Sequence, residues 1–238
     1  IESHSSSNTN QHYITNNLVT LGDFMQSWAE ITGIISSSQY KTYVCANNTV
    51  HIRGNGNSSS TSSSSCYRGS LMSAQNSTLV LGNNIFYNNR TGGGGNYAFT
   101  DSYGNILTSA NNLFVTQNAN QAVYVRSRGY TFNDYKSAYS SGNRDRFSFY
   151  SQADGLPPTT LWEDPNNLNY SPNRNNSNCW TLNGQGVPWS YVANDINGNS
   201  RSTTPTGNTD IGAWEFNANT EPPVIEGTPS PAPGGTTS

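Results

Sequence analysis

The chain has 238 residues and a formal net charge of −3, and only 11% of its residues are charged. This length suits one domain with a substantial core. The small net charge gives no reason to expect nucleic acid or an anionic membrane as a partner, and no apolar run approaches the ~20 residues that a transmembrane helix requires. Aromatic residues reach 11%, which argues against a disordered chain.

Four Asn-Asn pairs recur in the first half of the chain, each followed by two strand-forming residues. They begin at Asn16, Asn47, Asn83 and Asn111, which are 31, 36 and 28 residues apart. A coil of a parallel β-helix needs about two dozen residues and tolerates insertions in its loops. Asn adopts the left-handed conformation that turns a chain between sheets, and its amide can bond to an Asn stacked above it. The pattern therefore predicts a repeated coil; because Asn is abundant here, chance is the alternative.

Short segments rich in β-branched and aromatic residues predict strands between clusters of Gly, Asn and Ser. The predicted strands are Leu18–Leu21, Tyr40–Val44, Val50–Arg53, Leu79–Leu81, Ile85–Tyr87, Leu113–Thr116, Ala122–Val125 and Phe147–Tyr150. One helix is predicted at Phe24–Ile31, with Asp23 as its N-cap, and it would cover an open end of the stack. Gly54–Ser65 and Thr91–Gly95 are predicted to be loops.

Three cysteines occur, at Cys45, Cys66 and Cys179. Cys45 and Cys66 bracket a Gly/Ser-rich segment, so a disulfide between them would fix this segment in an oxidising compartment. The alternative is that all three are buried thiols that pack as small apolar side chains.

The densest group of charges lies between residues 126 and 146. A polysaccharide lyase would need a base to remove a proton and a cation to neutralise the uronate. The candidates for these roles are Arg126, Lys136, Arg144 and Arg146. The favoured alternative is a solvated turn at 144–146 with local ion pairs, because no lyase motif accompanies the cluster.

A glycoside hydrolase would instead need two carboxylates at a set distance. The close acidic group before the C-terminal segment consists of Asp154, Glu163 and Asp164. Asp164 precedes Pro165, and Asp-Pro is typical of a turn, so a structural role is favoured.

Alternating oxygen-bearing side chains at Asp195, Asn197 and Asn199 superficially resemble a calcium-binding loop. An EF-hand needs glycine at the sixth loop position, whereas Gly198 is fourth. A looser calcium site is therefore the minority interpretation, and no other cofactor is expected.

Five Asn-x-Ser/Thr sequons are candidate N-glycosylation sites. They begin at Asn47, Asn57, Asn76, Asn89 and Asn175. In a chain this rich in Asn, Ser and Thr, chance matches are the alternative.

The segment 194–216 carries the most specific pattern in the chain. It contains a D-x-x-G-x-x-R stretch that ends at Arg201, followed by D-I-G-A-W-E at 210–215. These motifs resemble the closing segment of secreted right-handed parallel β-helix proteins of the pectate-lyase-like superfamily, in which a linker to a surface anchor follows.

This resemblance implies an all-β protein: a right-handed parallel β-helix, or solenoid, with a C-terminal cap. Within the cap, Arg201 would pair with Asp210 or Glu215 and have a structural role. The resemblance implies no particular reaction, because the architecture carries lyases, hydrolases, adhesins and inert surface proteins alike.

Three parts of the chain are predicted: a polar N-terminal arm at 1–15, a β-helix domain at 16–216 and a Pro/Gly/Ser/Thr-rich linker or assembly tail at 217–238. The predicted function is that of a secreted, non-catalytic structural or adhesive protein of the cell surface, as a filament or matrix subunit. The alternative is a polysaccharide-lyase-like carbohydrate-active enzyme or a glycan-binding module. The chain is expected to bind further copies of itself through its termini. Polysaccharides or cell-surface glycans are the other expected partners.

Overall fold

The computed structural model describes residues 2–3, 11–22, 30–36, 42–57, 62–69, 78–102, 106–139, 144–145 and 147–223. Three sheets dominate these residues. Sheet A contains β1 (Glu2–Ser3), β4 (Ile31–Ser36), β8 (Ser64–Gly69), β12 (Asn96–Asp101), β15 (Val123–Val125) and, antiparallel at its end, β16 (Arg128–Tyr130). Sheet B contains β2 (Gln11–Thr15), β5 (Thr42–Ala46), β9 (Thr78–Gly82) and β13 (Ile106–Ala110). Sheet C contains β3 (Leu18–Leu21), β6 (Thr49–Ile52), β10 (Ile85–Asn88), β14 (Leu113–Thr116) and β17 (Phe149–Gln152).

Two short strand pairs lie outside these sheets. The parallel pair consists of β7 (Asn55–Gly56) and β11 (Thr91–Gly92), and the antiparallel pair consists of β18 (Trp162–Asp164) and β19 (Asn169–Pro172). The segment predicted as the loop Gly54–Ser65 therefore contains β7 and the start of β8, because backbone pairing with the next coil overrides its Gly/Ser-rich composition.

The chain passes through sheets B, C and A in that order four times, so that equivalent residues stack in columns. Val50, Phe86 and Phe114 share one register position of sheet C, and all three are buried. The rings of Phe86 and Phe114 lie 5.9 Å apart. Each coil buries its apolar side chains against the next one, as in other repeat architectures. The predicted all-β parallel β-helix is confirmed.

The corner between sheets B and C is made by the predicted Asn-Asn pairs. The first Asn of each pair is left-handed, with φ of 54–55° at Asn16, Asn47, Asn83 and Asn111. Asn tolerates this conformation better than most residues, so it can turn the chain from a strand of sheet B into the next strand of sheet C. The predicted coil repeat is therefore real.

The second Asn of each pair forms a buried ladder inside the corner. The side-chain amide of Asn17 donates to Asn48 Oδ1 (2.9 Å), that of Asn48 to Asn84 Oδ1 (3.0 Å) and that of Asn84 to Asn112 Oδ1 (2.9 Å). Each of these carbonyl oxygens also accepts the backbone N–H of the same donor residue, which is Asn17, Asn48 or Asn84. The ladder ends at Ser148, whose Oγ accepts the backbone N–H of Asn112 at 2.9 Å.

Helix α1 (Phe132–Ala138) covers the last coil of the stack. Thr131 caps its N-terminus by accepting the N–H of Asp134 at 3.1 Å. Phe132 and Tyr135 are buried, and the Phe132 ring lies 5.5 Å from that of Phe114. A second helix, α2 (Pro158–Leu161), is a single turn.

Two predictions near the N-terminus need correction. Most of the predicted helix Phe24–Ile31 lies outside the described residues, but Ile31 begins β4 and is not helical. The predicted polar arm at 1–15 includes β2, which pairs with β5 over five residues. The solenoid therefore begins before residue 16.

The C-terminal region wraps around the outside of the solenoid. Residues 153–182 cover sheet C, where Trp162 stacks on the buried His51 at 5.2 Å and the Tyr170 hydroxyl is 2.8 Å from His51 Nδ1. Farther along, the amides of the four left-handed asparagines bond to carbonyls of Gln185, Val187, Asn194 and Asp210. We call residues 185–210 the strap, because they contact all four corners of the stack.

The predicted Cys45–Cys66 disulfide is not formed in this structure. Cys45 and Cys66 are free and fully buried. Cys45 Sγ accepts the amide of Asn48 at 3.3 Å, and Cys66 Sγ donates to the Val50 carbonyl at 3.7 Å. Both thiols face the core from different strands, so the alternative of buried thiols that pack as small apolar groups describes them.

Candidate functional site

The outer face of sheet A carries a groove of about 260 Å³. Strands β8, β12 and β15 supply most of its walls. It is lined by Glu30, Ser63, Ser64, Ser65, Arg68, Tyr97, Thr100, Ser102 and Tyr124.

Strand register explains why these side chains converge. Arg68, Thr100 and Tyr124 occupy equivalent positions on neighbouring strands, which lie about 4.8 Å apart in a sheet. The residues just before them in sequence are buried in the core, and side chains alternate between the two faces of a strand. The three residues therefore form an outward-facing column along the axis of the solenoid.

Two tyrosines supply the aromatic surface of the groove. The rings of Tyr97 and Tyr124 lie 5.0 Å apart at an angle of 49°. The Tyr97 ring occupies the space beside Gly95, where a Cβ would lie 2.3 Å from it, so a larger residue at position 95 would displace the ring. Burial, and then the neighbouring Tyr124, raises the pKa of Tyr97. Its hydroxyl therefore remains a hydrogen-bond donor at neutral pH.

One ion pair lies at the edge of the groove. Arg68 contacts the carboxylate of Glu30, and their side chains are 23% and 46% exposed. Such an exposed pair contributes little to stability. Among the described residues that line the groove, Glu30 is the only carboxylate. The groove thus combines ring faces, hydroxyls and one neutralised charge pair, a chemistry suited to a hydroxyl-rich ligand with an apolar face.

The basic residues predicted as lyase candidates lie elsewhere, around the end covered by α1. Lys136 and Arg144 each lie 5.4 Å from the centroid of an aromatic ring, and Arg126 is exposed on a left-handed turn with φ of 49°. Arg146 lies outside the described residues. The three described cations do not line the groove on sheet A.

The predicted solvated turn with ion pairs at 144–146 is wrong for Asp145, which is 1% exposed. Asp145 Oδ1 accepts the hydroxyls of Ser109 (2.6 Å) and Ser148 (2.7 Å) and closes the Asn ladder. Burial raises the pKa of Asp145, although these hydrogen bonds oppose the shift.

Of the alternative calcium site at Asp195, Asn197 and Asn199, the Asp195 carboxylate binds N–H groups through both oxygens. Asp195 Oδ1 accepts the N–H groups of Asn197 and Asn199, both at 2.8 Å, and Oδ2 accepts the N–H of Glu215 at 2.9 Å. Burial alone would raise the pKa of Asp195, but these donors lower it overall. Because the carboxylate binds two peptide N–H groups of its own turn and that of Glu215, Asp195 joins this turn to the segment at 215 and has a structural role.

The predicted glycosylation sites differ in accessibility. Asn47 is 1% exposed and its amide bonds to the strap, so it is not available as an acceptor in the folded chain. Asn57 and Asn89 are half-buried, Asn175 is exposed and Asn76 lies outside the described residues.

The residues predicted to form the structural cap lie together: Arg201 and Asp210 belong to the strap, and Glu215 follows it. Arg201 contacts Glu215 in an ion pair and donates to the carbonyl of Gly212 at 2.8 Å. The two carboxylate oxygens of Asp210 accept backbone N–H groups at 2.6 and 2.7 Å. Burial, and then the charge of Glu215, raises the pKa of Asp210 to about 7. The Asp210 carbonyl accepts the amide of Asn47 in the second coil, so this cluster joins the end of the strap to the side of the stack.

Comparisons of the chain with protein-family models, curated proteins and solved structures gave no match. The resemblance to pectate-lyase-like proteins is therefore supported at the level of the β-solenoid alone. The described helices are all too short or too polar to cross a membrane. Over the same residues, no group of three or more His, Cys, Asp or Glu side chains could hold a metal ion.

The groove residues were not predicted from the sequence. Arg68, Thr100 and Tyr124 are 32 and 24 residues apart, and loops of different length separate them. The Asn-Asn repeat marks the coils but does not align these positions, because Arg68, Thr100 and Tyr124 lie 21, 17 and 13 residues after Asn47, Asn83 and Asn111.

Proposed function

We propose that the protein is a non-catalytic adhesive solenoid of the cell surface that binds polysaccharide along the outer face of sheet A. The observation that carries this proposal is the pair of adjoining tyrosines, Tyr97 and Tyr124, in a groove otherwise lined by serines, a threonine and one ion pair. Sugar rings present apolar C–H faces that stack on aromatic rings and hydroxyls that bond to polar groups.

The geometry of the column favours a linear polymer. Arg68, Thr100 and Tyr124 lie on three successive coils at one strand spacing from each other, a distance comparable to the length of one pyranose residue. A polysaccharide that runs along the solenoid axis would therefore meet a new side chain at each sugar. An extended groove of this kind suits adhesion to a polymer better than capture of a small molecule.

Charge in the groove supports binding over catalysis. A lyase or hydrolase needs convergent ionisable groups that act on one bond, whereas Glu30 is already paired with Arg68. The low charge of the chain, with 11% charged residues, and the Pro-rich sequence after residue 220 support a location on the cell surface, joined by a linker.

The test is binding of soluble polysaccharides, measured by affinity electrophoresis and calorimetry. Tyr124→Ala is expected to weaken binding roughly tenfold, which corresponds to about 1.4 kcal/mol. Phe147→Ala is the matched control, because Phe147 is 57% exposed and does not line the groove. Equal affinity of the wild type and Tyr124→Ala for every polymer would refute the assignment. Unsaturated products or new reducing ends would show the lyase-like or hydrolytic alternative.

A further inference from the structure

A second aromatic surface lies on the outer face of sheet B. Tyr13 of β2 lies 4.7 Å from Tyr191, and Tyr191 lies 5.5 Å from Trp189, measured between ring centroids. Tyr13 is 50% exposed and Tyr191 39%. We call these three residues the aromatic platform.

Trp189, at one end of the platform, is packed in place without a ligand. The Trp189 ring packs on Gly82, where a Cβ would lie 2.2 Å from it. Asn83, next to Gly82, fixes the chain before Trp189 by accepting the N–H of Val187 at 3.0 Å and donating to its carbonyl at 2.7 Å. Because the Trp189 ring does not need to be ordered on binding, this part of the platform loses little conformational entropy when a ligand binds.

The chain segments that supply the platform hold no permanently charged side chain, and His12 is their one basic residue. Residues 11–20 and 185–194, which supply the three rings, contain no Asp, Glu, Lys or Arg. The Tyr13 hydroxyl donates to Gln11 Oε1 at 2.5 Å, so polar groups border the rings. Burial, and then Tyr13, raises the pKa of Tyr191, which keeps its phenol neutral. These features suit an uncharged sugar, and the two segments provide no Lys or Arg to pair with an anionic polymer.

The exposed area of the rings is that of a small binding site. A Tyr side chain presents about 150–250 Å² in total, so the exposed fractions of Tyr13 and Tyr191 amount to roughly 200 Å². A stable protein interface buries about 800 Å² on each partner. The exposed rings therefore match the size of a few sugar residues and supply about a quarter of the area that a stable protein interface buries on one partner.

We propose that the aromatic platform is a second carbohydrate-binding site, specific for neutral polysaccharides. It occupies a different sheet from the groove on sheet A, so one molecule binds two polymer chains and links them. The linking activity rests on the proposed function of the groove, whereas binding at the platform does not.

The experiment compares Tyr191→Ala, Tyr124→Ala and the double variant, with Phe147→Ala as the control and thermal unfolding to verify that each variant is folded. The probes are galactomannan and hydroxyethyl cellulose as neutral polymers and polygalacturonate as an anionic one. Binding is followed by calorimetry, and linking by the size of protein–polymer complexes in light scattering.

Both single variants are expected to retain binding to a neutral polymer, with Tyr191→Ala lowering the number of binding sites from two to one. The double variant should lose at least tenfold in affinity relative to either single variant. Large complexes should form with the wild type only.

Loss of all binding in Tyr124→Ala, with Tyr191→Ala like the wild type, would overturn the second site and leave the proposed function intact. Loss of all binding in Tyr191→Ala, with Tyr124→Ala like the wild type, would overturn the groove as a binding site and retain the platform. Failure of the wild type to bind any neutral polymer would overturn the platform. Concentration-dependent dimers that Tyr191→Ala abolishes would also overturn it, in favour of self-association.

Discussion

The corner between sheets B and C and the outer face of sheet A are built by the same coils but obey different constraints. At the corner, every coil repeats the same pair of asparagines, because the left-handed turn and the buried ladder each accept few alternatives. On sheet A, one column holds Arg68, Thr100 and Tyr124, three side chains with nothing in common. Repetition in this chain thus marks positions that stabilise the fold, and variation marks positions free to bind.

The largest effect is expected from Asn84→Ala, in the middle of the ladder. Its Oδ1 accepts two N–H groups of Asn48, and its amide donates to Asn112 and to the Cys45 carbonyl. Removal leaves several buried polar groups without partners, which should lower the free energy of unfolding by about 3 kcal/mol. Chemical denaturation measures this value.

Asn133→Ala is the control for this variant, because Asn133 is exposed on α1. It should change stability by less than about 0.5 kcal/mol. A similar small change for Asn84→Ala would show that the ladder does not determine the stability of the corner.

A smaller effect, dependent on pH, is expected at the cluster that holds the strap. The pKa of Asp210 rises from its usual 3.8 to about 7 on folding, so the folded state retains a proton that the unfolded state loses. This contribution to stability is complete below pH 3.8, declines as the pH rises through 7 and is lost above it. The slope should not exceed about 1.4 kcal/mol per pH unit for one proton.

Thermal unfolding of the wild type and Asp210→Asn between pH 5 and pH 8, which brackets the pKa of about 7, tests this expectation. The melting temperature of the wild type should fall across this range, and the variant should lack that slope whatever its absolute stability. Parallel curves for the two proteins would mean that another group titrates.

The smallest effect on stability is expected on sheet A. Arg68→Gln breaks the exposed pair with Glu30, and Tyr124→Ala removes a half-buried ring. Each should cost less than about 1 kcal/mol, although Tyr124→Ala should weaken polysaccharide binding. A loss comparable to that of Asn84→Ala would show that the column is a structural element, and the contrast between the two regions would disappear.

All five strands of sheet C were predicted, four of them because strand-forming residues directly follow an Asn-Asn pair. In sheet B, β5 and β9 were predicted, whereas β2 was assigned to the polar arm and β13 was missed. Sheet A was predicted at Ala122–Val125 alone, since β8 and β12 lie in segments rich in Ser, Gly and Asn, and their pairing partners are about 30 residues away. Helix α1 was not predicted, although the Thr131–Asp134 capping pair is a local signal for its N-terminus. The groove depends on register between coils with different loops, which no local pattern specifies.

The strap provides one carbonyl for each coil of the solenoid. Its carbonyls at 185, 187, 194 and 210 match four corner asparagines, one from each coil. An extra coil, made by duplicating residues 47–82, would extend the ladder by one further rung but leave one corner amide without a carbonyl. Lengthening the solenoid by duplication would therefore require a matched insertion in the strap to provide a carbonyl for the added corner.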